Sequence, residues 1–284
     1  MIYTALVGYP TKQSLSSRLF QIYASSCLLE YAHIKIDVKP EESSLREIIN
    51  SLKKIGFSGF NVTIPYKLEI MELLDEIDEF SKEIGAVNTV KVKSNKLYGY
   101  NTDYIGALKS IEKALGRVIC SDDKAVVFGT GGAAKAVVGG LLKYTKKITV
   151  FYRSPQSMRT MDFLRRFSDK IDVLPLNSSK VNSKTLDANL VCNATPVGMR
   201  PNISATILPF DIKSLRENKI KRVFFDVVYS PLYTIFLKQA LDEGYFIGDG
   251  LDMMIYQGVE AFKIWTDFDV PTSIVQEAKD FLMR

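Results

Sequence analysis

A glycine-rich segment is the part of the sequence whose chemistry is easiest to infer. GTGGAA, residues 129–134, follows the apolar run KAVVF and opens the helical pattern AAKAVVGGLL. Glycines at such a strand-to-helix turn let the backbone approach a pyrophosphate, and the helix N-terminus offers free N–H groups and a positive potential. The segment therefore predicts a dinucleotide site. The residues expected to contact the cofactor are Gly129, Thr130, Gly131, Gly132 and Ala133.

The end of the next apolar run indicates which dinucleotide is bound. KKITVFY ends about 20 residues after the glycines, where an acidic residue would accept a hydrogen bond from the ribose of NAD. The sequence instead has Tyr152, Arg153 and Ser154 at this point. A guanidinium offers a planar fork of donors that suits a 2′-phosphate, and Ser154 adds a hydroxyl partner. These residues favour NADP.

Three polar segments in the first hundred residues or so are candidates for binding a second ligand. They are NVTIPYK at residues 61–67, AVNT at residues 86–89 and NTD at residues 101–103. Each lies at the end of a β-rich run and carries amides, hydroxyls or a charged group. Such residues either line a site or serve as turn formers and helix caps, and the residue types alone leave both interpretations open.

The scarcity of histidine and cysteine excludes several kinds of site. His33 is the only histidine, and it lies in a strand-like run. Cys27, Cys120 and Cys192 are far apart and form no C-x-x-C pair, so neither a disulfide framework nor a thiolate zinc site is expected. We expect no metal. Acid–base chemistry would have to use lysine, aspartate or tyrosine.

Length and composition indicate a globular protein of about two domains. The chain has 284 residues, against a typical domain of roughly 150. No apolar stretch approaches the roughly 18 residues of a membrane span, and the first residues do not resemble a secretory signal. The net charge is only +5. The basic clusters lie between apolar runs, and this placement is typical of solvated surfaces rather than nucleic-acid sites. We therefore expect a cytoplasmic protein with no nucleic-acid or membrane partner.

The elements that would position these residues form two α/β domains. Short β-rich runs alternate with helical stretches, with YKLEIMELLD expected to be a helix after Pro65 and a hairpin turn at Ser94 and Asn95. Continuous apolar strands then alternate with helices, which is typical of a parallel sheet. We predict a substrate-binding and catalytic domain at 1–103 and a Rossmann-like doubly wound domain at 104–240, with a cleft between them. Residues 241–284 are predicted to be a helical segment that returns to the first domain.

Taken together, these segments resemble shikimate dehydrogenases, and the resemblance covers essentially the whole chain in order. The further segments that carry it are the paired serines in TKQSLSS, NATPVGM at 193–199, DVVYSPL at 226–232 and GDGLDMMIYQG at 248–258. The resemblance implies reversible, NADP-dependent reduction of 3-dehydroshikimate to shikimate, a step of aromatic amino-acid (chorismate) biosynthesis.

The resemblance also implies roles for individual residues. Ser14 and Ser16 would hold the substrate carboxylate, and Lys67 would exchange a proton with the reacting hydroxyl. The residues that would engage the ring or its hydroxyls are Thr63, Asn88, Asp103, Tyr229 and Gln257, with Asp103 also orienting the reacting hydroxyl. Val227 would lie beside the nicotinamide and Gly250 beside the substrate. Glu79 matches a position near the cofactor.

Three positions depart from the family pattern. Ser17 replaces a proline after the second serine, Tyr152 replaces an asparagine before Arg153, and Ser157 stands where relatives often carry a second basic residue. With one arginine instead of two basic residues, discrimination between NADP and NAD is expected to be smaller.

Three alternatives remain for the function. They are a quinate/shikimate dehydrogenase that uses NAD, a methylenetetrahydrofolate dehydrogenase, and a nucleotide-sensing regulator that keeps the fold without turnover. The paired serines argue against the folate enzyme, and the presence of both Lys67 and Asp103 argues against a regulator. A small-molecule substrate and a monomer or homodimer are expected.

Overall fold

A computed structural model describes residues 1–154, 171–217 and 220–284, which form two compact units. The first unit comprises Met1–Thr102 together with Ile255–Arg284, and the second comprises Asp103–Met254. Among the described residues, no helix is both long and apolar enough to cross a membrane. The helix expected near residues 158–167 and the departure at Ser157 lie outside the described residues.

A mixed six-stranded sheet forms the centre of the first unit. Its strands are β1 (Ile2–Gly8), β2 (Tyr31–Asp37), β3 (Gly59–Val62), β4 (Glu76–Ile77), β5 (Thr89–Lys93) and β6 (Lys96–Tyr100), in the order β2-β1-β3-β5-β6-β4. β1, β2 and β3 are parallel, and β5 is antiparallel to both β3 and β6. Ser94 at φ 50° and Asn95 at φ 61° form the left-handed turn between β5 and β6. The predicted hairpin is therefore confirmed.

Helices pack on this sheet and bury its apolar side chains. The helices of the first part of the chain are α1 (Ser16–Ser26), α2 (Leu45–Lys54) and α3 (Glu79–Ile84). Alternate strand residues such as Ala5 and Val7 share one face of the sheet and belong to the same buried cluster as Leu52 of α2. Ser44 caps α2 because its side chain accepts a hydrogen bond from the backbone N–H of Glu47.

The stretch YKLEIMELLD does not form the helix that its sequence predicts. It contains only a short 3₁₀ helix at Glu69–Leu73. The backbone N–H of Asp75 bonds to the carbonyl of Leu97 at 3.0 Å, and β4 then pairs with β6. These tertiary hydrogen bonds require extended backbone from residue 74 onward, so they override the helical preference of the sequence.

The C-terminal residues complete the core of the first unit. They lie in helix α8 (Gly250–Thr266), from Ile255 onward, and in helix α9 (Thr272–Met283). The ring of Trp265 packs 5.0 Å from that of Phe20 on α1, and its Nε1 donates to the carbonyl of Val90 at 2.9 Å. His33 is buried in the same cluster, where desolvation lowers its pKa to about 3. The only histidine is thus a neutral core residue.

The second unit contains a fully parallel six-stranded sheet. Its strands are β7 (Lys124–Phe128), β8 (Lys147–Tyr152), β9 (Ile171–Pro175), β10 (Leu190–Asn193), β11 (Val223–Asp226) and β12 (Phe246–Gly248). The order β9-β8-β7-β10-β11-β12 is the 3-2-1-4-5-6 order of dinucleotide-binding folds. Ligands of such sheets bind at the carboxyl ends of the strands, where the order reverses. The predicted α/β class and the doubly wound second sheet are confirmed.

The second unit is longer than the predicted domain. Its helices are α4 (Asp103–Leu115), α5 (Gly132–Leu142), α6 (Val181–Asp187), α7 (Ile235–Asp242) and the start of α8, with a 3₁₀ helix at Ile212–Glu217. The sequence analysis ended this domain at residue 240, but β12 pairs in parallel with β11 and extends the sheet. Strand pairing therefore keeps residues 241–254 in the second unit, and only the residues from Ile255 return to the first.

A buried carboxylate at the amino end of β7 ties three segments together. Asp123 accepts two hydrogen bonds from the guanidinium of Arg117, at 2.5 and 2.8 Å, and others from the backbone N–H of Cys120 and the amide of Asn189. Burial raises the pKa of Asp123, but these hydrogen bonds outweigh it and lower the pKa to about 2. The carboxylate is therefore ionised and paired in the native state.

We expect Asp123→Asn to lower the free energy of unfolding by about 2 kcal/mol at pH 7. The native pKa lies below the unfolded value of about 3.9, so the contribution is complete above about pH 5 and is lost as the pH falls toward 2. Urea unfolding at pH 7 and at pH 3 should therefore show a smaller difference between variant and wild type at pH 3. Asp122→Asn is the control, since Asp122 is exposed and pairs with Lys147 at the surface. A difference that did not change with pH would contradict this account.

Candidate functional site

The paired serines lie at the N-terminus of α1. The backbone N–H of Ser16 donates to Ser14 Oγ at 3.2 Å. Ser16 is 7% exposed, and its Oγ has no hydrogen-bond partner among the described residues. A buried hydroxyl without a partner is costly, and most such groups in native proteins have one. Ser16 therefore carries an unused donor and acceptor at a helix N-terminus, where the helix dipole favours an anion.

A buried cluster of amides and hydroxyls forms a second part of the first unit. Asn88 donates from Nδ2 to Thr102 Oγ1 at 3.0 Å and accepts the backbone N–H of Thr102 at 2.7 Å. Thr102 Oγ1 donates to Gln257 Oε1 at 3.0 Å. Behind them, Asn61 donates to Thr89 Oγ1 at 3.0 Å, and Thr89 donates to Asn88 Oδ1 at 3.2 Å. Backbone groups fix the orientation of two of the amides: Asn88 Oδ1 accepts the N–H of Thr102, and Asn61 Nδ2 donates to the carbonyl of Asn88 at 3.2 Å.

This cluster brings together residues that are far apart in the sequence. Asn88 and Gln257, which the resemblance assigned to the substrate, contact each other with Nδ2 and Oε1 3.3 Å apart. Asn61, Thr89 and Thr102 are buried like Asn88, but no individual role was predicted for them. They lie inside the NVTIPYK, AVNT and NTD segments, which were predicted as candidates for binding a second ligand.

Thr63 and Lys67 lie on the turn that follows β3. Thr63 is joined to β1 by a hydrogen bond from its backbone N–H to the carbonyl of Val7 at 2.9 Å. The carbonyl of Lys67 accepts from the backbone N–H of Val87 at 2.9 Å, which ties this turn to the segment before β5. The side chains of Thr63 and Lys67 are half-buried. Their backbone positions are thus set by neighbouring strands rather than by the turn alone.

The glycine-rich turn of the second unit has the geometry of a phosphate-binding turn. Gly129 has φ +115°, and a Cβ there would lie 2.8 Å from Thr195 Cγ2, so only glycine fits. A Cβ on Gly131 would meet nothing within 4 Å. Helix α5 begins at the next residue, and its N-terminal N–H groups are those that bind anions in such turns. The open space above Gly131 fits the close approach of a pyrophosphate.

The residues after β8 fit the ribose end of a dinucleotide. Arg153 is exposed directly after the strand, and Tyr152 and Ser154 on either side of it are half-buried. This edge is the carboxyl end of the strand next to β7, where the adenosine part of a dinucleotide lies in folds of this order. An accessible guanidinium at this point suits a 2′-phosphate.

The loops after β10 and β11 are joined by a buried carboxylate. Asp226 accepts from Thr234 Oγ1 at 2.7 Å, from the backbone N–H of Val228 at 2.9 Å and from Asn193 Nδ2 at 3.1 Å. Burial raises the pKa of Asp226 to about 6 although these hydrogen bonds oppose the rise. The sequence analysis missed Asp226 and Asn193, although both begin segments that carry the family resemblance.

The helix that follows β12 begins against the end of β11. A Cβ on Gly250 would lie 2.4 Å from the carbonyl oxygen of Val227, so no side chain fits there. Val227 and Gly250 are thus neighbours, as their implied roles require. Tyr229 lies half-buried on the same loop as Val227. Asp103 is 6% exposed at the first residue of α4, and Glu79 is exposed at the first residue of α3.

We expect Gly131→Ala to raise the KM of the dinucleotide by about tenfold or more and to leave the melting temperature nearly unchanged. The new methyl group would occupy the space that the pyrophosphate needs, while φ at Gly131 is −78° and suits alanine. Gly129→Ala is the contrasting variant, and it should lower the melting temperature because of its positive φ and its clash with Thr195. Steady-state kinetics and thermal melts of both variants measure the two effects. An unchanged dinucleotide KM in Gly131→Ala would exclude the turn from the cofactor site.

Family models match both ends of the first unit. The model described as the shikimate dehydrogenase substrate binding domain matches residues 6–90. The model described as the shikimate 5′-dehydrogenase C-terminal domain matches residues 250–278.

Individual proteins are similar to the chain over its whole length. A curated shikimate dehydrogenase (NADP(+)) from Methanococcus aeolicus is 36% identical over 275 residues, covering 96% of this chain and 95% of that protein. A crystal structure of a shikimate dehydrogenase in complex with NADP+ has a TM-score of 0.86 at 35% identity, covering 100% of this chain and 96% of the other. A quinate dehydrogenase from Corynebacterium glutamicum in complex with NAD also has a TM-score of 0.86, at 27% identity, covering 100% of this chain and 99% of the other.

Proposed function

This chain belongs to the shikimate dehydrogenase family, and from that membership we propose that it reversibly reduces 3-dehydroshikimate to shikimate with NADPH. It is an oxidoreductase of aromatic amino-acid biosynthesis with a small-molecule substrate. The observation that carries the proposal is the buried hydroxyl of Ser16 at the N-terminus of α1, which has no hydrogen-bond partner in the described parts of the chain and lies within a segment that matches the substrate binding domain of the family. A carboxylate is the ligand group that such a position prefers.

The first unit is proposed to bind shikimate. Ser14 and Ser16 donate hydrogen bonds to its carboxylate. The residues proposed to bind the ring hydroxyls are Thr63, Asn88 and Gln257 of the first unit and Tyr229 of the second. The buried amide cluster supports this assignment, because oriented amides discriminate between donor and acceptor atoms of a polyhydroxy acid.

Lys67 and Asp103 are proposed to act on the reacting hydroxyl. Oxidation of a carbinol releases a proton from its oxygen as the hydride leaves its carbon. Lys67 accepts that proton and returns it in the reverse direction, as a general acid–base group does. Asp103 accepts a hydrogen bond from the hydroxyl and orients it.

The second unit is proposed to bind NADP, which supplies or accepts the hydride at its nicotinamide. The residues proposed to hold its pyrophosphate are Gly129, Thr130, Gly131, Gly132 and Ala133. Arg153 and Ser154 bind the 2′-phosphate, with Tyr152 beside the adenine, and Val227 and Gly250 lie at the nicotinamide end. The open space at Gly131 and the exposure of Arg153 support this assignment. We propose that the enzyme works in the cytoplasm as a monomer or homodimer.

A second candidate function is the oxidation of quinate with NAD. It is favoured by the similarity to a quinate dehydrogenase crystallised with NAD and by Ser157, which stands where relatives often carry a second basic residue. Reduced-nicotinamide absorbance should be followed with shikimate or quinate, each with NADP or NAD. We expect the highest kcat/KM for shikimate with NADP. A higher value for quinate with NAD would make the second function the correct one, and no turnover in any combination would exclude both.

A further inference from the structure

The loop that carries the paired serines is fastened to strand β2 by two side chains. Asp37 Oδ1 accepts hydrogen bonds from the backbone N–H and the hydroxyl of Thr11, at 2.7 and 2.6 Å. Lys35 Nζ donates to the carbonyl oxygens of Lys12 and Ser14, at 3.0 and 3.2 Å. Ser14 N–H in turn donates to the carbonyl of Thr11 at 2.9 Å. The two side chains therefore hold the loop at its beginning and at the first serine.

Lys35 and Asp37 can act together because of their places in the sheet. They are two residues apart on one strand, so their side chains leave the same face of the sheet. β2 is an edge strand of the described sheet and pairs with β1, which itself ends at the start of this loop. The hydrogen bonds from Thr11 lower the pKa of Asp37, and Lys35 lowers it further. Asp37 is therefore an ionised carboxylate at neutral pH, and a carboxylate is a stronger hydrogen-bond acceptor than the protonated acid.

Helix α1 restrains the backbone only from Ser16 onward, and Ser17, which stands in place of a proline, lies in its first turn. Ser16 Oγ has no hydrogen-bond partner among the described residues. The two β2 side chains restrain the backbone from Thr11 to Ser14, before the helix begins. A loop released from them would have to be ordered again by each substrate molecule that binds.

From this geometry we propose that Lys35 and Asp37 are positioning residues that hold the Ser14–Ser16 loop in the conformation that binds the substrate carboxylate. The inference rests on the proposed function, because it assigns the two serines to that carboxylate. Lys35 also places a positive charge beside the carbonyl oxygen of Ser14. Neither residue takes part in proton or hydride transfer.

The test uses Lys35→Met and Asp37→Ala in the full-length enzyme. Each should raise the KM for shikimate by about five- to tenfold, because only the fraction of molecules with an ordered loop can bind. The kcat, the KM for NADP and the melting temperature should stay close to the wild-type values. The double variant should be little worse than the more affected single variant, since losing either contact already releases the same loop.

Conservative variants and a matched control separate positioning from general effects of charge. Lys35→Arg keeps a donor to the two carbonyls, and Asp37→Asn keeps an acceptor for Thr11. In both variants the KM for shikimate should therefore stay close to the wild-type value. Lys96→Met removes a positive charge from an exposed position of the same unit, where Lys96 pairs with Glu76, and should change nothing.

The outcomes distinguish failure of this inference from failure of the proposed function. An inactive wild-type enzyme with shikimate and NADP would overturn the function. Active wild type together with an unchanged shikimate KM in Lys35→Met and Asp37→Ala would overturn only the role of these two residues. A loss shared equally by kcat, both KM values and the melting temperature would also overturn it, because that pattern belongs to general destabilisation.

Discussion

Lys67→Ala is expected to lower the kcat for shikimate oxidation by roughly 10² to 10⁴, the usual range for removal of a general acid–base group. The proton of the reacting hydroxyl then has no positioned acceptor when the hydride leaves. The substitution keeps the hydrogen bond that the carbonyl of Lys67 accepts from the backbone N–H of Val87. The fold and the affinity for NADP should therefore change little. Steady-state kinetics, thermal melts and NADP titration measure the three quantities.

The control for Lys67 is Lys54→Ala, which removes an exposed lysine at the end of α2 and should retain full turnover. Asp103→Ala should lower kcat in a similar way and also raise the KM for shikimate, because its carboxylate accepts a hydrogen bond from the hydroxyl before the reaction. Wild-type turnover in purified Lys67→Ala would remove this lysine from the chemistry.

Arg153→Ala is expected to reduce kcat/KM for NADP by on the order of 10- to 150-fold and to leave that for NAD nearly unchanged. Hydrogen bonds to a charged group contribute roughly 1.5 to 3 kcal/mol, and only NADP has the 2′-phosphate that receives them. Preference between the two cofactors should therefore approach parity. The measurement is kcat/KM for both cofactors in wild type and variant.

Lys147→Ala tests whether any positive charge on this strand has the same effect. Lys147 lies at the opposite end of β8, where it pairs with Asp122 at the surface. Its loss should leave the cofactor preference as it is. If Arg153→Ala instead lowered the efficiency with both cofactors equally, or if wild type preferred NAD, Arg153 would not bind the 2′-phosphate.

Local patterns were sufficient to predict the elements that position the cofactor. Continuous apolar runs indicated buried parallel strands, and Gly129 between β7 and α5 has a positive φ that other residues rarely adopt. The hairpin at Ser94 and Asn95 was equally local, because its turn needs two residues at positive φ. Each of these features is decided within a few residues of the chain.

The features that were missed depend on distant partners. The stretch before β4 does not form the predicted helix, because β4 pairs with β6. β12 is identified by its pairing with β11 and not by its own sequence. Gln257 contacts Asn88 across 169 positions of the sequence, a neighbourhood that no local pattern contains. Asp226 resembles any aspartate at a strand end until its three donors are known. For these residues only the family resemblance or the tertiary structure is informative.

The division of the chain sets the order in which its parts can fold during synthesis. Residues 103–254 form an uninterrupted unit, whereas the first 102 residues share their unit with the last 30. A growing chain leaves the ribosome from its N-terminus, so the second unit is complete while the side chains that cover Phe20 and His33 have not yet been made. The hydroxyl of Tyr23 likewise donates at 2.7 Å to the carbonyl of Ile255, a residue that is made only after the second unit is complete. The part of the enzyme that is translated first is therefore the part that finishes folding last.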